Sequence, residues 1–407
     1  MAGSSLLKNK LEEFKLNAND VIHFKLVRDE NDVEDYDKSF KPDMTHQVFG
    51  EQESIFGYKD LEVKMYYTAA KLNTYLSMSY IDKVTPKRFD GLVPDEVLPK
   101  LAQEIPPGYY TNLDDFLATL PKEVNFKPFG EMLHSYKVKT DGSSRNFEVY
   151  KTDIDVPGFR DYHSRLQTFL LFFIDAASYI DVDDDRWNYF LVFEKYRNNG
   201  ETMYAIAGYM TIYNYYAYPN KTRPRISQVL ILPPFQRQGH GAELLQTFYN
   251  TCYDRDDIMD ITVEDPSENF QRLRDFVDCK NVCKLREFQP NNIRVSFNDA
   301  MLQAARQKLK LSRRQARRVY EILRLKATDG SNTQQYRDYR LEVKRRLNSP
   351  FTKNRRDFQK LKKALNPQEL DETMNTTEEK RLEYLEKSFE EHVEVYRQVL
   401  DRLAASS

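Results

Sequence analysis

The sequence predicts an α+β protein: a mixed, mostly antiparallel sheet with flanking helices at its centre, an N-terminal α+β domain before it and a C-terminal helical domain after it. Three observations carry this reading. From 20 to 124 short β-like runs are interrupted by Pro-rich joints; from 125 to 284 the β-like runs lengthen; from 285 to 407 they stop and apolar residues recur at helical spacing. A chain of 407 residues has room for two or three domains of about 150 residues each. Its 40% apolar and 13% aromatic content can fill their cores.

In chain order, the N-terminal region offers two β-like runs, Val21 to Val27 and Leu61 to Thr68, and joints such as Pro106-Pro107-Gly108. In the central region, Trp187 to Tyr196 and Tyr204 to Tyr213 flank Arg197-Asn198-Asn199-Gly200. The Asn-Gly pair tolerates positive φ at both positions and so predicts a tight hairpin. A strand from Ile226 to Leu232 then leads through Pro233-Pro234 into Gln236 to Gly241, and a helix from Ala242 to Thr251 sets Leu244, Leu245 and Phe248 on one face. A last strand, Met259 to Glu264, enters Asp265-Pro266-Ser267, whose Asp or Ser can cap a helix through Leu273 and Phe276. Beyond it, Ala300 to Leu325 reads as one basic amphipathic helix with Leu302, Leu309, Val319 and Leu323 inward. Leu382, Leu385, Phe389, Val393, Tyr396, Leu400 and Leu403 form a seam suited to a coiled coil or, the expectation here, to a helix packed on its own chain.

Composition excludes several classes. With 30% charged residues and a mean hydropathy of −0.72, the chain is neither an integral membrane protein nor, given its apolar content, a disordered one. The most apolar run, Phe169 to Ile180, is too short to span a bilayer and is interrupted by Asp175. The opening Met1-Ala2-Gly3-Ser4-Ser5 lacks the basic and apolar regions of a signal peptide, so an intracellular protein is expected. Cys252, Cys279 and Cys283 have neither disulfide nor zinc spacing and read as reduced thiols. The net charge of −2 hides an asymmetry: residues 301 to 365 carry 20 Lys+Arg against 5 Asp+Glu, a local +15 that leaves −17 to the rest. An acidic body suits a basic partner, and a basic segment an acidic one.

The informative segment is strand, then Gln236-Arg237-Gln238-Gly239-His240-Gly241-Ala242, then helix. Such a turn leaves amides at the positive end of a helix dipole without partners, which suits phosphate oxygens. It is no dinucleotide fingerprint, because Leu244 stands where a small third residue is needed, and no Gly-Lys-Ser/Thr makes it a Walker loop. What remains, Gln/Arg-x-x-Gly-x-Gly/Ala, is similar to the pyrophosphate loop of the GNAT acetyltransferases.

Neighbouring segments narrow the resemblance. Arg225 to Leu232 (Arg-Ile-Ser-Gln-Val-Leu-Ile-Leu) and Asp260 to Ser267 (Asp-Ile-Thr-Val-Glu-Asp-Pro-Ser) resemble the type B histone acetyltransferase catalytic subunits. So do Thr45-His46-Gln47-Val48-Phe49-Gly50, Asn125 to Gly130, Tyr213 to Tyr216 and Arg317 to Arg324; the resemblance covers most of residues 20 to 350. It implies a GNAT core and acetyl-CoA as cosubstrate, laid along Val229, Leu230 and Ile231 with its pyrophosphate on Gln236, Arg237, Gln238, Gly239, His240, Gly241 and Ala242. Ser267 is a further cofactor contact, or simply a helix cap.

Acetyl transfer to lysine needs a neutral amine, hence a base. The resemblance puts Glu264 in that role, with Asp265 beside it and Asp175 as a third acidic candidate where the family is expected to carry Glu. It implies a histone tail, chiefly of newly made histone four and also histone 2A, held by Glu51, Gln52, Glu53, Trp187, Tyr213, Asn214 and Tyr215, with a WD-repeat histone-binding chaperone as partner subunit. Carboxylates attract Lys/Arg, and aromatic faces can clamp their stems; strand positions for Trp187 and Tyr215 are the plainer alternative. Neither a metal nor a membrane is expected. His240 reads as a surface-loop histidine, Cys252 as packing, and Asp181, Asp183, Asp184 and Asp185 as a solvated turn. Lys344-Arg345-Arg346 and Lys353-Asn354-Arg355-Arg356 suit either nuclear import or a basic helix face, and the expected location is cytoplasm with a nuclear share. A non-catalytic histone or chromatin adaptor is the alternative function, and direct nucleic-acid binding is left open.

Overall fold

A computed structural model describes residues 11–140, 142–361 and 378–406; residues 1–10 and the side chains of residues 353–361, including Lys353, Asn354, Arg355 and Arg356, lie outside the described residues. The chain divides into two units, Met1–Asn214 with Ile226–Thr247, and Tyr215–Arg225 with Phe248–Ser407.

The first unit opens with a three-stranded sheet in which β1 (Ile22–Val27) runs parallel to β2 (Glu62–Thr68), and β2 antiparallel to β3 (Thr74–Ser79). Phe24 sits at the centre of an aromatic cluster with Phe40, Tyr67, Phe169, Phe172 and Phe173, whose ring centroids lie 5.1–6.4 Å from its own. The apolar run that begins at Phe169 is therefore core, each fully buried ring contributing about 1.5–3 kcal/mol of transfer free energy.

The larger sheet is an antiparallel ladder in chain order, with helices inserted between the second and third strands: β4 (Glu131–Thr140), β5 (Ser143–Thr152), β6 (Trp187–Asn198), β7 (Glu201–Ala217) and β8 (Lys221–Ile231). Asn199 (φ 50°) and Gly200 (φ 85°) make the two-residue turn joining β6 to β7, as the Asn-Gly pair predicts. On β7 the register against β6 skips Ala207. That bulge turns the Ala207 carbonyl toward the amide of Leu232 (2.9 Å), while the Ile206 amide donates to Ala69 (2.9 Å). One residue on, a Cβ at Gly208 would lie 2.4 Å from the Leu230 carbonyl oxygen, so β7 and β8 pack more closely than a side chain permits.

In the second unit the tip of the β7–β8 hairpin is bordered by β9 (Thr262–Val263), with Arg223 paired to Asp260 and Thr222 bridged to Ile258. The strand expected over Met259 to Glu264 thus shrinks to two residues, with a separate bridge from Ile261 to Leu311. Helix α1 (His240–Tyr253) runs from the first unit into the second. It is followed by α2 (Glu268–Val282), α3 (Asp299–Leu309), α4 (Arg313–Ala327), α5 (Thr333–Leu361) and α6 (Glu378–Ala405). The single helix expected from Ala300 to Leu325 is two: Lys310 turns left-handed (φ 53°), and Ser312 starts α4 by accepting the Gln315 amide. The seam on α6 packs on α2, α4 and α5 of its own chain through Leu385, Phe389, Val393, Tyr396, Val399 and Leu403, while Leu382 is exposed. Among the described residues no helix is long and apolar enough to cross a membrane.

Gly208→Ala is expected to cost about 1–3 kcal/mol of stability, the range for overpacking. Gly200→Asn, at an open turn position where Asn tolerates positive φ better than other side chains, should cost less. An unaltered melting midpoint in Gly208→Ala would refute the close-approach argument.

Candidate functional site

In the large sheet β8 lies between β7 and the two-residue β9, with Ile226, Gln228 and Leu230 buried and Ser227, Val229 and Ile231 half-buried. Gln228 is fixed by bonds from its amide to the Thr211 hydroxyl (3.1 Å) and from its side chain to the Ser178 carbonyl (2.9 Å). The strand ends in a short turn, Pro233–Phe235, because consecutive prolines cannot continue a ladder.

The loop after it is tied down by side chains. Gln236 donates to the Ile231 carbonyl (2.9 Å), Gln238 donates to the Pro234 carbonyl (3.1 Å), and the Gln238 oxygen accepts from Arg145 (3.3 Å). Arg237 is exposed with φ 61°, and Gly239 has φ 93° with nothing within 4 Å of where its Cβ would point. The first helical carbonyl in use is that of Gly239, which accepts from Ala242 and Glu243. Among the described residues, the amides of Gln238, Gly239, His240 and Gly241 therefore have no protein acceptor. An open, positively polarised cradle of this kind fits a diphosphate.

His240 corrects the reading of a surface-loop histidine. It is 1% exposed, its ring 4.1 Å from that of Phe147, with Nδ1 hydrogen-bonded to the Tyr136 hydroxyl at 2.7 Å. Burial first, and then the positive charge of Arg145, push its pKa down to about 4, so the imidazole is neutral at physiological pH. Phe235 is buried in the same cluster, 6.2 Å from the rings of both Phe147 and His240 and beneath the Arg145 guanidinium 5.3 Å from its ring centroid. Arg145 in turn forks onto Glu194 at 2.7 and 2.8 Å. Burial pushes the Glu194 carboxyl up, but Arg145 and Arg28 outweigh it and hold the group below its usual range.

The residues expected to hold a tail peptide fall into distinct settings. Glu51 and Gln52 are exposed, but the Glu53 carboxylate accepts from the amides of Thr45 (2.6 Å) and His46 (3.1 Å) and from Asn19 (2.8 Å). Those bonds depress its pKa and tie it to the start of the short helix His46–Phe49. His46 itself lies between two carboxylates, its Nδ1 3.7 Å from Glu53 and its Nε2 3.2 Å from Asp175, whose side chain is 79% exposed. Trp187 and Tyr213 are cross-strand partners in edge-to-face contact at 4.8 Å. Arg186 covers the Tyr213 ring, and the Tyr213 hydroxyl donates to Asp184 (2.8 Å), itself forked by Arg186. Asn214 donates to the Arg186 carbonyl (3.1 Å).

The remaining candidates belong to the second unit. Glu264 follows β9 with its side chain 45% exposed and one oxygen 3.8 Å from Arg225, whose guanidinium stacks 5.1 Å from the Tyr215 ring. Asp265 is exposed at φ 27°, and Ser267, not Asp265, caps α2 by accepting the Phe270 amide (3.2 Å). Among the described residues no cluster of His, Cys, Asp or Glu could hold a metal ion. Sequence reasoning missed Arg145, Glu194, Tyr136 and the placement of His46: residues far apart along the chain that no local pattern joins.

Because the folded His240 resists protonation, its contribution to stability is complete above about pH 6.5 and is lost as the pH falls from there through 4. Urea melts at pH 7 and pH 5 should show wild type losing about 1 kcal/mol more than His240→Phe, partial screening allowed for. Equal losses would mean that the ring titrates normally.

Three family models match the chain: "Histone acetyl transferase HAT1 N-terminus" over residues 14–175, "Acetyltransferase (GNAT) family" over 156–274 and "Histone acetyltransferase type B catalytic subunit, C-terminal" over 274–325. The histone acetyltransferase type B catalytic subunit of Homo sapiens is 51% identical over 98% of this chain and 96% of its own length. That of Mus musculus is 50% identical over 98% and 97%, and one from Dictyostelium discoideum 33% identical over 88% and 76%. A solved aminoglycoside acetyltransferase from an uncultured soil metagenomic sample aligns with 31% of this chain and 83% of its own at 17% identity and a TM-score of 0.23, a likeness too low to support an inference. With a strand, a turn of unclaimed amides and a helix at its centre, and relatives matching 98% of it at 50–51% identity, the chain belongs to the family of histone acetyltransferase type B catalytic subunits, acetyl-transferring enzymes of the GNAT superfamily.

Proposed function

We propose that the chain transfers acetyl groups from acetyl-CoA to lysines in the N-terminal tail of newly made, soluble histone four, with histone 2A as a second substrate, and so serves chromatin assembly. The observation that carries this reading is the loop of four acceptor-free amides, Gln238 to Gly241, below Arg237. In this reading they and Arg237 hold the diphosphate of the donor, the edge of β8 at Val229 to Ile231 pairs with its amides, and Gln236, Ala242 and Ser267 line its path. Bound there, the donor supplies a thioester carbon open to attack by an amine.

The chain's own part is to prepare that amine. Glu264 takes the lysine proton, directly or through a water, and the neutral amine attacks the thioester carbon in a ternary complex, forming the amide as the C–S bond breaks and CoA leaves as thiol. Asp265 and Asp175 are further acidic candidates for this task, Asp175 held by His46. Glu51, Gln52, Glu53, Trp187, Tyr213, Asn214 and Tyr215 receive the tail; support for this comes from the name of the relatives and from a body that is acidic outside residues 301–365. The same resemblance supports a division into a histone-binding region (20–124), an acetyltransferase core (125–284) and a helical domain (285–407). It also supports a WD-repeat chaperone as partner and a cytoplasmic and nuclear location.

Glu264→Gln should lower kcat at neutral pH by about 10²–10⁴-fold, the range for loss of a positioned base, with acetyl-CoA affinity within error of wild type. Lost CoA affinity with unchanged kcat would reassign Glu264 to cofactor binding. For the tail, Glu51→Lys is the informative substitution, since Glu53 is committed to the backbone of residues 45 and 46. Peptide KM should rise several-fold with kcat and CoA affinity retained, and an unchanged KM would remove Glu51 from the tail site.

A further inference from the structure

The second unit holds a cavity of about 490 Å³ between α4 and α5 whose wall carries four guanidinium groups. Arg313 and Arg317, one turn apart on α4, face Arg345 and Arg346 on α5, and Ser296, Phe297 and Ser349 complete the rim. Nothing in acetyl transfer uses these residues.

The four arginines are of two kinds. Arg346 forks onto the buried Glu321 at 2.7 and 2.9 Å, and Arg317 bridges Glu321 and Glu342 at 3.2 Å each. Glu321 also accepts from Tyr396 (2.9 Å), and Glu342 from Tyr320 and Arg324 (3.0 Å each). Arg317 and Arg346 are thus held by two carboxylates that are themselves fully engaged, and each keeps N–H donors beyond those two bonds. Arg313 and Arg345, by contrast, are exposed and form no ion pair among the described residues. Glu321 and Glu342 offset two of the four guanidinia, and the cavity stays net positive through Arg313 and Arg345, within a stretch of chain whose net charge is +15.

We propose that this cavity binds a compact dianionic phosphoryl group, carried by a small free phosphate or by a phosphorylated side chain. Two immobile guanidinia on the floor and two adjustable ones on the rim match the forked geometry that Arg makes with phosphate oxygens, and the serine hydroxyls add donors. The charges converge on one cavity instead of running along a stripe, and Arg317 already covers the Phe297 ring, 5.3 Å from its centroid. An extended nucleic acid, which needs a tracked groove and open aromatic faces, fits this surface poorly.

The test uses the full chain saturated with CoA, so that the amides after β8 are occupied. Inorganic phosphate, a phosphoserine peptide, its unphosphorylated form and a mixed-sequence DNA duplex are titrated by calorimetry. Inorganic phosphate and the phosphopeptide should bind competitively, and the unphosphorylated peptide should not bind. Arg313→Ala with Arg345→Ala, both exposed and unpaired, should weaken phosphate binding by about tenfold or more while leaving CoA affinity and the melting midpoint unchanged. The double Lys variant, which keeps charge and loses the fork, should fall in between. A phosphopeptide much tighter than inorganic phosphate makes a modified side chain the source; equal affinities make it a free phosphate. Wild-type phosphate affinity in the double Ala variant, or no saturable phosphate binding at all, would overturn the proposal. So would a duplex that binds when phosphate does not.

Discussion

A loop that binds oxyanions with its backbone must leave its amides unpaired and yet not move. The turn between β8 and α1 meets both demands by separating main chain from side chains. Among the described residues, Gln238 to Gly241 keep their amides without protein acceptors, while Phe235 and His240 are buried together against Phe147. An unsatisfied amide costs little where solvent or ligand can reach it, whereas a loose loop would lose the entropy of being ordered each time it bound. Burying a histidine neutral serves the same end, since burial and the nearby Arg145 charge both disfavour an imidazolium there.

The pair behind the loop obeys the rule for buried charge. Glu194 and Arg145 are expensive to desolvate and are retained with full mutual hydrogen bonding, Arg28 supplying a second cation. Through Gln238 this pair reaches the loop itself. The helical unit repeats the device on a larger scale with Glu321 and Glu342, each shared by at least two arginines. Buried carboxylates here organise guanidinia, whereas the more exposed carboxylates of Asp175 and Glu264 each meet a cationic partner in an ion pair, His46 and Arg225 respectively.

Local patterns were the legible part. Asn199-Gly200 gave away a hairpin because few residue pairs tolerate two positive φ values in a row, and Ser267 could be read as a cap because a hydroxyl competes well for a helical amide. The break at Lys310 and the cap at Ser312 were invisible: their neighbours keep a helical apolar spacing, and the left-handed turn leads into Leu311, which bridges to Ile261, fifty residues earlier. The strand expected up to Glu264 failed for a related reason, since β-propensity registers a half-buried surface and only Thr262 and Val263 find a partner strand.

The amino-acid sequence by itself determined the class of fold, the strand–loop–helix that fits a diphosphate and the family, because each rests on residues adjacent in the chain whose backbone preferences are intrinsic. What only the tertiary structure decided is which polar groups are already spent. Glu53 looks like a free carboxylate until Thr45, His46 and Asn19 are seen to claim it, and His240 looks like a loop histidine until Tyr136 and Phe147 close over it. Hydrogen bonding and desolvation depend on neighbours brought together across scores of residues, and no local pattern carries that information.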